Sequence, residues 1–356
     1  MRKRFFRSVS GDIPLPIFFP DATRGVIRSL DSRDIEQTKT PGVLVNTYHL
    51  MHDLGEEKMK QIGGIRKLMN FKGGMISDSG GFQLMSLVKK NPGLSKITED
   101  GIVFRLSQKT TIKLTPEESV RFQLAMGTDM VVVLDDFTPP GADEKTARES
   151  VERTYRWAVR SKKEFERICE EKEILKENRP YLLGVIHGDR HVGLRQESAQ
   201  GLVGLGFDGL GYGGWPVMEN GEFDYEVATV LAEETPKDYF LYGLGVGKPE
   251  DIVGCVKLGF NIFDCVLPTR DARHERLYVF NSETGFDYHY YSPKDKDLII
   301  DEPVSEVCDC LLCKNYSRGY LTHLFKIKDA SAWRLATIHN LRFYSMLMGR
   351  LNIVQP

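Results

Sequence analysis

Phe263-Asp264-Cys265-Val266-Leu267-Pro268-Thr269-Arg270 ends an apolar run on an acid and follows it with basic residues. A carboxylate placed where a buried strand stops, with arginine just beyond it, suits the mouth of a barrel beside an anionic ligand. Working outward, short apolar runs ending in polar or glycine residues recur at 43–50, 75–81, 130–136, 181–188, 207–214, 240–247 and 260–266. Nearly continuous apolar strands are what a parallel sheet covered on both faces requires. Helical patterns at 116–126, 143–170, 224–234 and 249–258 alternate with them, so the class is α/β. Asp78, Asp135, His187, Gly213-Gly214, Gly245-Val246-Gly247 and Asp264 stand where six successive strands end. A doubly wound sheet would gather its ligands at one switch point, so this distribution predicts a (β/α)8 TIM barrel.

A chain of 356 residues with 41% hydrophobic content can bury one large core with a small appendage. We expect the barrel over 1–281 and a zinc-binding subdomain over 282–356, closed by a helix at 331–351. The formal net charge of −2 means that a nucleic-acid partner must meet a local basic patch. Met1-Arg2-Lys3-Arg4-Phe5-Phe6 is basic but lacks the apolar segment of a signal peptide, and no later stretch is apolar enough to span a bilayer. The expectation is a cytoplasmic, soluble protein with no membrane partner.

Three of the six cysteines are packed into Cys308-x-Cys310-x2-Cys313, and His339 lies one helical turn past Leu335. Three thiolates and an imidazole complete a tetrahedral shell with no open position, the mark of one structural Zn2+ per chain. His323 competes as fourth ligand, and the plain alternative is three reduced thiols with a core histidine.

Two further segments can carry chemistry. In Ser77-Asp78-Ser79-Gly80-Gly81-Phe82-Gln83, glycine lets the backbone approach a ligand and Phe82 can stack on a planar base; an ordinary turn before a helix has the same composition. Arg270, Arg273 and Arg276 form a basic loop after Asp264 that can hold phosphates, although Asp271 and Glu275 also fit a solvated charge run. Gly243-Leu244-Gly245-Val246-Gly247-Lys248 fails as a nucleoside-triphosphate loop, because Pro249 stands where serine or threonine would bind magnesium. It can still cradle a backbone phosphate, with Lys248 as a point charge.

Together with Asn46-Thr47-Tyr48-His49-Leu50 and Gly245-Val246-Gly247-Lys248-Pro249, these blocks resemble the tRNA-guanine transglycosylases, also called queuine tRNA-ribosyltransferases, over nearly the whole chain. The Leu267-Pro268-Thr269-Arg270 version is similar to the bacterial and eukaryotic queuosine branch. The resemblance implies a zinc-bearing TIM barrel that exchanges the wobble guanine of GUN-anticodon tRNAs for a free 7-deazaguanine, preQ1 or queuine, at the anticodon loop, as a homodimer. It implies that Asp264 is the nucleophile on ribose C1′ and Asp78 the general acid and base. It implies base contacts from Asp78, Ser79, Phe82, Asp135, Gly213 and Gly214. RNA contacts are implied from Gly245, Val246, Gly247, Lys248, Pro249, Glu250 and Asp251, and from Thr269, Arg270, Asp271, Ala272 and Arg273. Breaking an N-glycosidic bond develops positive charge on ribose and negative charge on the base, which suits two carboxyl groups in different protonation states.

Two departures bear on the pocket. Ile186-His187-Gly188 stands where the family has Val-Gln-Gly, so His187 is expected to donate to the base carbonyl. Gly213-Gly214-Trp215-Pro216 replaces Gly-Gly-Leu-Ala or Gly-Gly-Leu-Ser, and Pro216 has no N–H to offer. The Trp215 carbonyl then favours a base carrying an amine. Base exchange on another nucleic acid and a non-catalytic zinc-stabilised RNA-binding subunit are the competing readings.

Overall fold

The computed structural model describes residues 3–82, 84, 95–105 and 111–354; Met1, Arg2 and Gln83 lie outside them. Eight parallel strands form one sheet: β1 (Ile17–Pro20), β2 (Gly42–Asn46), β3 (Gly74–Asp78), β4 (Met130–Val132), β5 (Tyr181–Ile186), β6 (Gly209–Tyr212), β7 (Phe240–Gly243) and β8 (Ile262–Cys265). Their order is β1-β8-β7-β6-β5-β4-β3-β2. A parallel bridge between Asp21 and Leu44 joins the two ends, with Ala22 N–H donating to Leu44 O at 2.7 Å. The expected barrel is therefore what the chain forms.

Each strand is shorter than its apolar run, because the strand stops where the chain turns toward the mouth. The run at 43–50 ends as a strand at Asn46, whose side-chain oxygen accepts from His49 N–H and starts the helix Thr47–Asp53. Seven strands answer to the seven expected runs. The eighth, Ile17–Pro20, lies outside the expected runs, because Pro16 and Pro20 break up an apolar stretch of only four residues.

Alternation fills the barrel. Ile17, Phe19, Leu44, Ile76, Met130, Val132, Leu183, Val185, Phe240, Tyr242 and Ile262 form one buried interior cluster. Phe6, from an antiparallel hairpin of Phe5–Ser8 with Gly11–Pro14, plugs the lower end against Phe19 and Phe240. Two residues further along the inward face, the interior changes from apolar to polar: Asp21, Asn46, Asp78, His187 and Asp264 succeed Phe19, Leu44, Ile76, Val185 and Ile262.

At the lower end, one polar residue immediately before every second strand holds its neighbour. Asp129, before β4, accepts from Met75 N–H of β3 at 2.7 Å and pairs with Arg66 at 2.8 Å. Asp208, before β6, accepts from Leu182 N–H of β5 at 2.8 Å and holds Arg179 through both guanidinium nitrogens. Asn261, before β8, accepts from Leu241 N–H of β7 at 3.1 Å.

Helices cover the sheet: α1 (Pro116–Met126), α2 (Glu144–Glu171), α3 (Val192–Leu205), α4 (Tyr225–Glu234), α5 (Pro249–Leu258), α6 (Leu267–Arg273) and α7 (Ala330–Val354). Thr115 and Glu118 form a reciprocal capping box at the start of α1, and Gly127 ends it in a left-handed conformation. On α2, Ala147, Val151, Thr154, Ala158, Ser161, Phe165 and Ile168 are buried, the three- and four-residue spacing of one inward stripe. No helix among the described residues is long and apolar enough to cross a membrane.

Candidate active site

The upper ends of the strands enclose a cavity of about 580 Å³ lined by Asp21, Asn46, Asp78, Phe82, Asp135, Gly213, Gly214, Trp215, Gly245 and Asp264, among others. This is the face on which barrels of this class do chemistry, because the loops after the strands converge there.

Asp264 is buried, and one of its oxygens accepts from Gly245 N–H at 3.0 Å. Burial pushes its carboxyl up to about 7; the Gly245 and Tyr242 groups pull it down, and the charges of Asp78 and Asp21 push it further up. The buried Tyr242 hydroxyl is aimed at Asp264 and favours its charged form as a donor, though at a geometry short of an ordinary hydrogen bond. Asp78 ends β3 opposite Asn46 of β2, whose side-chain amide donates to it at 3.0 Å. Asn46 therefore starts a helix with its oxygen and holds the acid with its nitrogen.

Across the cavity, Asp135 is held from two sides. Ser79 Oγ donates to Oδ1 at 3.4 Å, and His187 Nε2 lies 2.7 Å from Oδ2. His187 is fully buried, and its Nδ1 receives a long contact from Thr138 N–H at 3.4 Å, which places the ring proton on Nε2. Both ring nitrogens are thus engaged inside the protein, with Asp135 standing between the imidazole and the cavity. Phe82 is 41% exposed and meets Phe137 edge-on, with ring centroids 5.1 Å apart.

Gly213 and Gly214 form the wall beside His187 and Asp135. A Cβ on Gly213 would come within 2.6 Å of Ile186 O and 2.7 Å of His187 Nε2, and Gly214 sits at φ +93°. Behind them, the fully buried Arg195 donates to Gly213 O at 2.8 Å, Ile186 O at 2.7 Å and Asp189 O at 2.8 Å. Trp215 is 52% exposed at the rim. Asn46, Tyr242, Arg195 and Asp21 carry no assignment from sequence. Of these, Asp21 had a readable signal: Ile17-Phe18-Phe19-Pro20-Asp21 is an apolar run ending on an acid, as at Asp264.

The basic segment beyond Asp264 is a helix, α6, rather than the expected loop, because Leu267 and Pro268 start a turn that Pro268 is shaped to open. Within it Thr269, Asp271 and Ala272 are buried, Arg273 is half-buried and donates to Thr269 O, and Arg270 is exposed. In the other expected RNA-contacting segment, Gly245 and Glu250 are exposed and Lys248 half-buried, whereas Val246, Gly247, Pro249 and Asp251 are buried.

Away from the cavity, Cys308, Cys310, Cys313 and His339 bring their donor atoms within 4.8 Å of one another. His339 Nδ1 lies 3.6 Å from Cys310 Sγ and 3.3 Å from Cys313 Sγ. Its Nε2 donates to Tyr278 O at 2.8 Å, the outer bond that fixes an imidazole for a metal. Three sulfurs and one oriented nitrogen fit a single tetrahedral ion. His323, the competing fourth ligand, is not in the cluster.

The cluster is coupled to the cavity through α7. Next to His339, Asn340 donates to Pro268 O at 2.9 Å and accepts from Tyr278 N–H at 3.1 Å. One turn on, Tyr344 donates to Gly247 O at 2.5 Å. The segments on either side of Asp264 thus rest on the helix that supplies the fourth donor.

The chain matches the family model described as queuine tRNA-ribosyltransferase over residues 4–352. It is 40% identical over 342 residues to proteins named queuine tRNA-ribosyltransferase from Shewanella sp. (strain ANA-3) and Shewanella baltica, spanning 96% of this chain and 87% of those proteins. The corresponding protein of Shewanella piezotolerans is likewise 40% identical, with 86% of its length covered. With a match running from the first barrel strand to the helix that carries His339, the chain belongs to the queuine tRNA-ribosyltransferase family.

Proposed function

We propose that this protein is a tRNA-guanine transglycosylase that exchanges the wobble guanine of a tRNA for a 7-deazaguanine. The observation that carries this reading is that Asp78 and Asp264, from β3 and β8, line one cavity together with Asp135. The Asp264 carboxylate attacks ribose C1′ as the C1′–N9 bond breaks, and the departing guanine takes a proton from Asp78. The incoming base returns its N9 proton to Asp78 as N9 displaces Asp264. The glycosidic bond energy is held in the ribosyl ester throughout, so the exchange needs neither ATP nor a redox partner.

Asp135 accepts from the N–H edge of guanine, and Phe82 stacks on the ring. His187 acts through Asp135, since its donor nitrogen is already spent on that carboxylate. Arg195 fixes the Gly213-Gly214 wall, and the Trp215 carbonyl meets the amine of an aminomethyl 7-deazaguanine. Arg270, Arg273 and Lys248 face the anticodon backbone. Extruding the target base costs a few kcal/mol, least in a single-stranded loop. The thiolate-rich donor set suits zinc, which when bound ties the 308–313 arm to α7.

With tRNA labelled at the wobble guanine, an aminomethyl 7-deazaguanine should release label. Asp264→Asn and Asp78→Asn should each slow release by at least about a thousandfold. Release by either variant within tenfold of wild type would contradict the assigned roles.

Stability gives a separate check. Because burial raises the Asp264 carboxyl to about 7, the folded protein binds more protons than the unfolded chain between about pH 4 and 7, and stability from this group falls as pH rises through that window. Asp264→Asn, neutral throughout, should stabilise the protein by about 2–4 kcal/mol at pH 8 and hardly at all at pH 4, as read by thermal denaturation. An equal effect at both pH values would remove the buried-charge account.

Metal analysis should find one zinc per chain. Chelation, or Cys310→Ser, should lower Tm by about 5–15 °C. Unchanged Tm after complete metal removal would show that the cluster does not hold a structural ion.

A further inference from the structure

We infer that Asp21 is a specificity residue that accepts a hydrogen bond from the ribose 2′-hydroxyl of the target nucleotide, so that the enzyme distinguishes RNA from DNA at the reacting sugar. The inference rests on the proposed exchange reaction and adds a residue to it.

Asp21 follows β1 at the seam where the barrel closes, bridged to Leu44. Phe19 pairs with Asp264 in the β1–β8 register, and Asp21 lies two residues beyond Phe19 on the same inward face. Its side chain therefore enters the cavity one layer nearer the mouth than Asp264, between Asp264 of β8 and the Asn46–Asp78 pair of β2 and β3. Thr23 donates to it through Oγ1 and through its backbone N–H, and no other side chain among the described residues hydrogen-bonds it. A carboxylate can accept up to about four hydrogen bonds, so acceptor capacity remains on the cavity side.

The sugar must lie near it. C1′ is placed at Asp264, and the base extends from there toward Asp135 beyond β4 and Gly213-Gly214 beyond β6. The ribose is left on the β8–β1 side, under Asp21. Within an RNA chain the 3′ and 5′ oxygens are esterified, so the 2′-hydroxyl is the one ribose donor available. An acceptor there does more than hold the sugar: hydrogen bonds to the 2-hydroxyl strengthen as positive charge develops on the ring.

The test is a double-mutant cycle with an anticodon stem-loop carrying guanosine or 2′-deoxyguanosine at the target position, assayed by guanine release with wild type, Asp21→Ala and Asp21→Asn. Wild type should prefer the ribose substrate by about 10- to 100-fold in kcat/KM, the range of a hydrogen bond to a charged acceptor. Asp21→Ala should lose most of the ribose-over-deoxyribose ratio, on top of any change common to both substrates from removing a charge beside Asp264, and thermal denaturation should show that it is folded. Asp21→Asn, a neutral acceptor, should fall between. Equal losses on both substrates, no loss on either, or an effect confined to the KM of the incoming base would overturn the inference. Failure of wild type to release guanine from either RNA would overturn the exchange reading, and this inference with it.

Discussion

The parallel register of the barrel is the constraint on which the site depends. Asp129, Asp208 and Asn261 each stand just before a strand and accept an N–H from the start of its neighbour, so β3, β5 and β7 are pinned from below. The charge-assisted bonds to Asp129 and Asp208 contribute about 1.5–3 kcal/mol each, the neutral one to Asn261 about 1 kcal/mol, and a slip of one residue would turn a whole strand face outward. Slipped in that way, β3 would point Asp78 at the helices and β8 would do the same with Asp264.

Stability and chemistry are divided between the two ends. Below, Asp129 and Asp208 are satisfied by backbone N–H groups and arginine; above, Asp264 has one backbone donor and two acidic neighbours. The upper layer is the costly one, offset by the apolar layer directly beneath it. α7 supports that layer from outside, because His339, Asn340 and Tyr344 connect the cysteine–histidine cluster to the segments after β7 and β8. Asp309, between two of the cysteines, is gripped by Arg342 of the same helix, so the 308–313 arm and α7 hold together by charge as well as by donor atoms.

Much of this was legible because the relevant signals are local. Apolar runs ending on Asp78 and Asp264 mark strand ends in a barrel, and the Cys-x-Cys-x2-Cys spacing marks a metal arm whatever surrounds it. What could not be read depends on partners distant in sequence. Arg195 looks like any helical arginine until three carbonyls are found around it, and His187 looks like a base donor until Asp135 claims its proton. Asp21 was hidden differently: prolines on either side obscured a four-residue strand, and with it the acid at its end. The segment after Asp264 read as a loop because its charges outnumber its apolar residues, yet α6 is fixed by packing against α7.

The central claim is that Asp264 carries the ribose between the two bases. The most direct measurement is intact-mass analysis of the protein denatured rapidly after mixing with an anticodon stem-loop in the absence of an incoming base, followed by peptide mapping. The account predicts an adduct equal to protein plus RNA less guanine, attached at Asp264 and missing from Asp264→Asn. Efficient base exchange with no adduct, or an adduct on another residue, would contradict it.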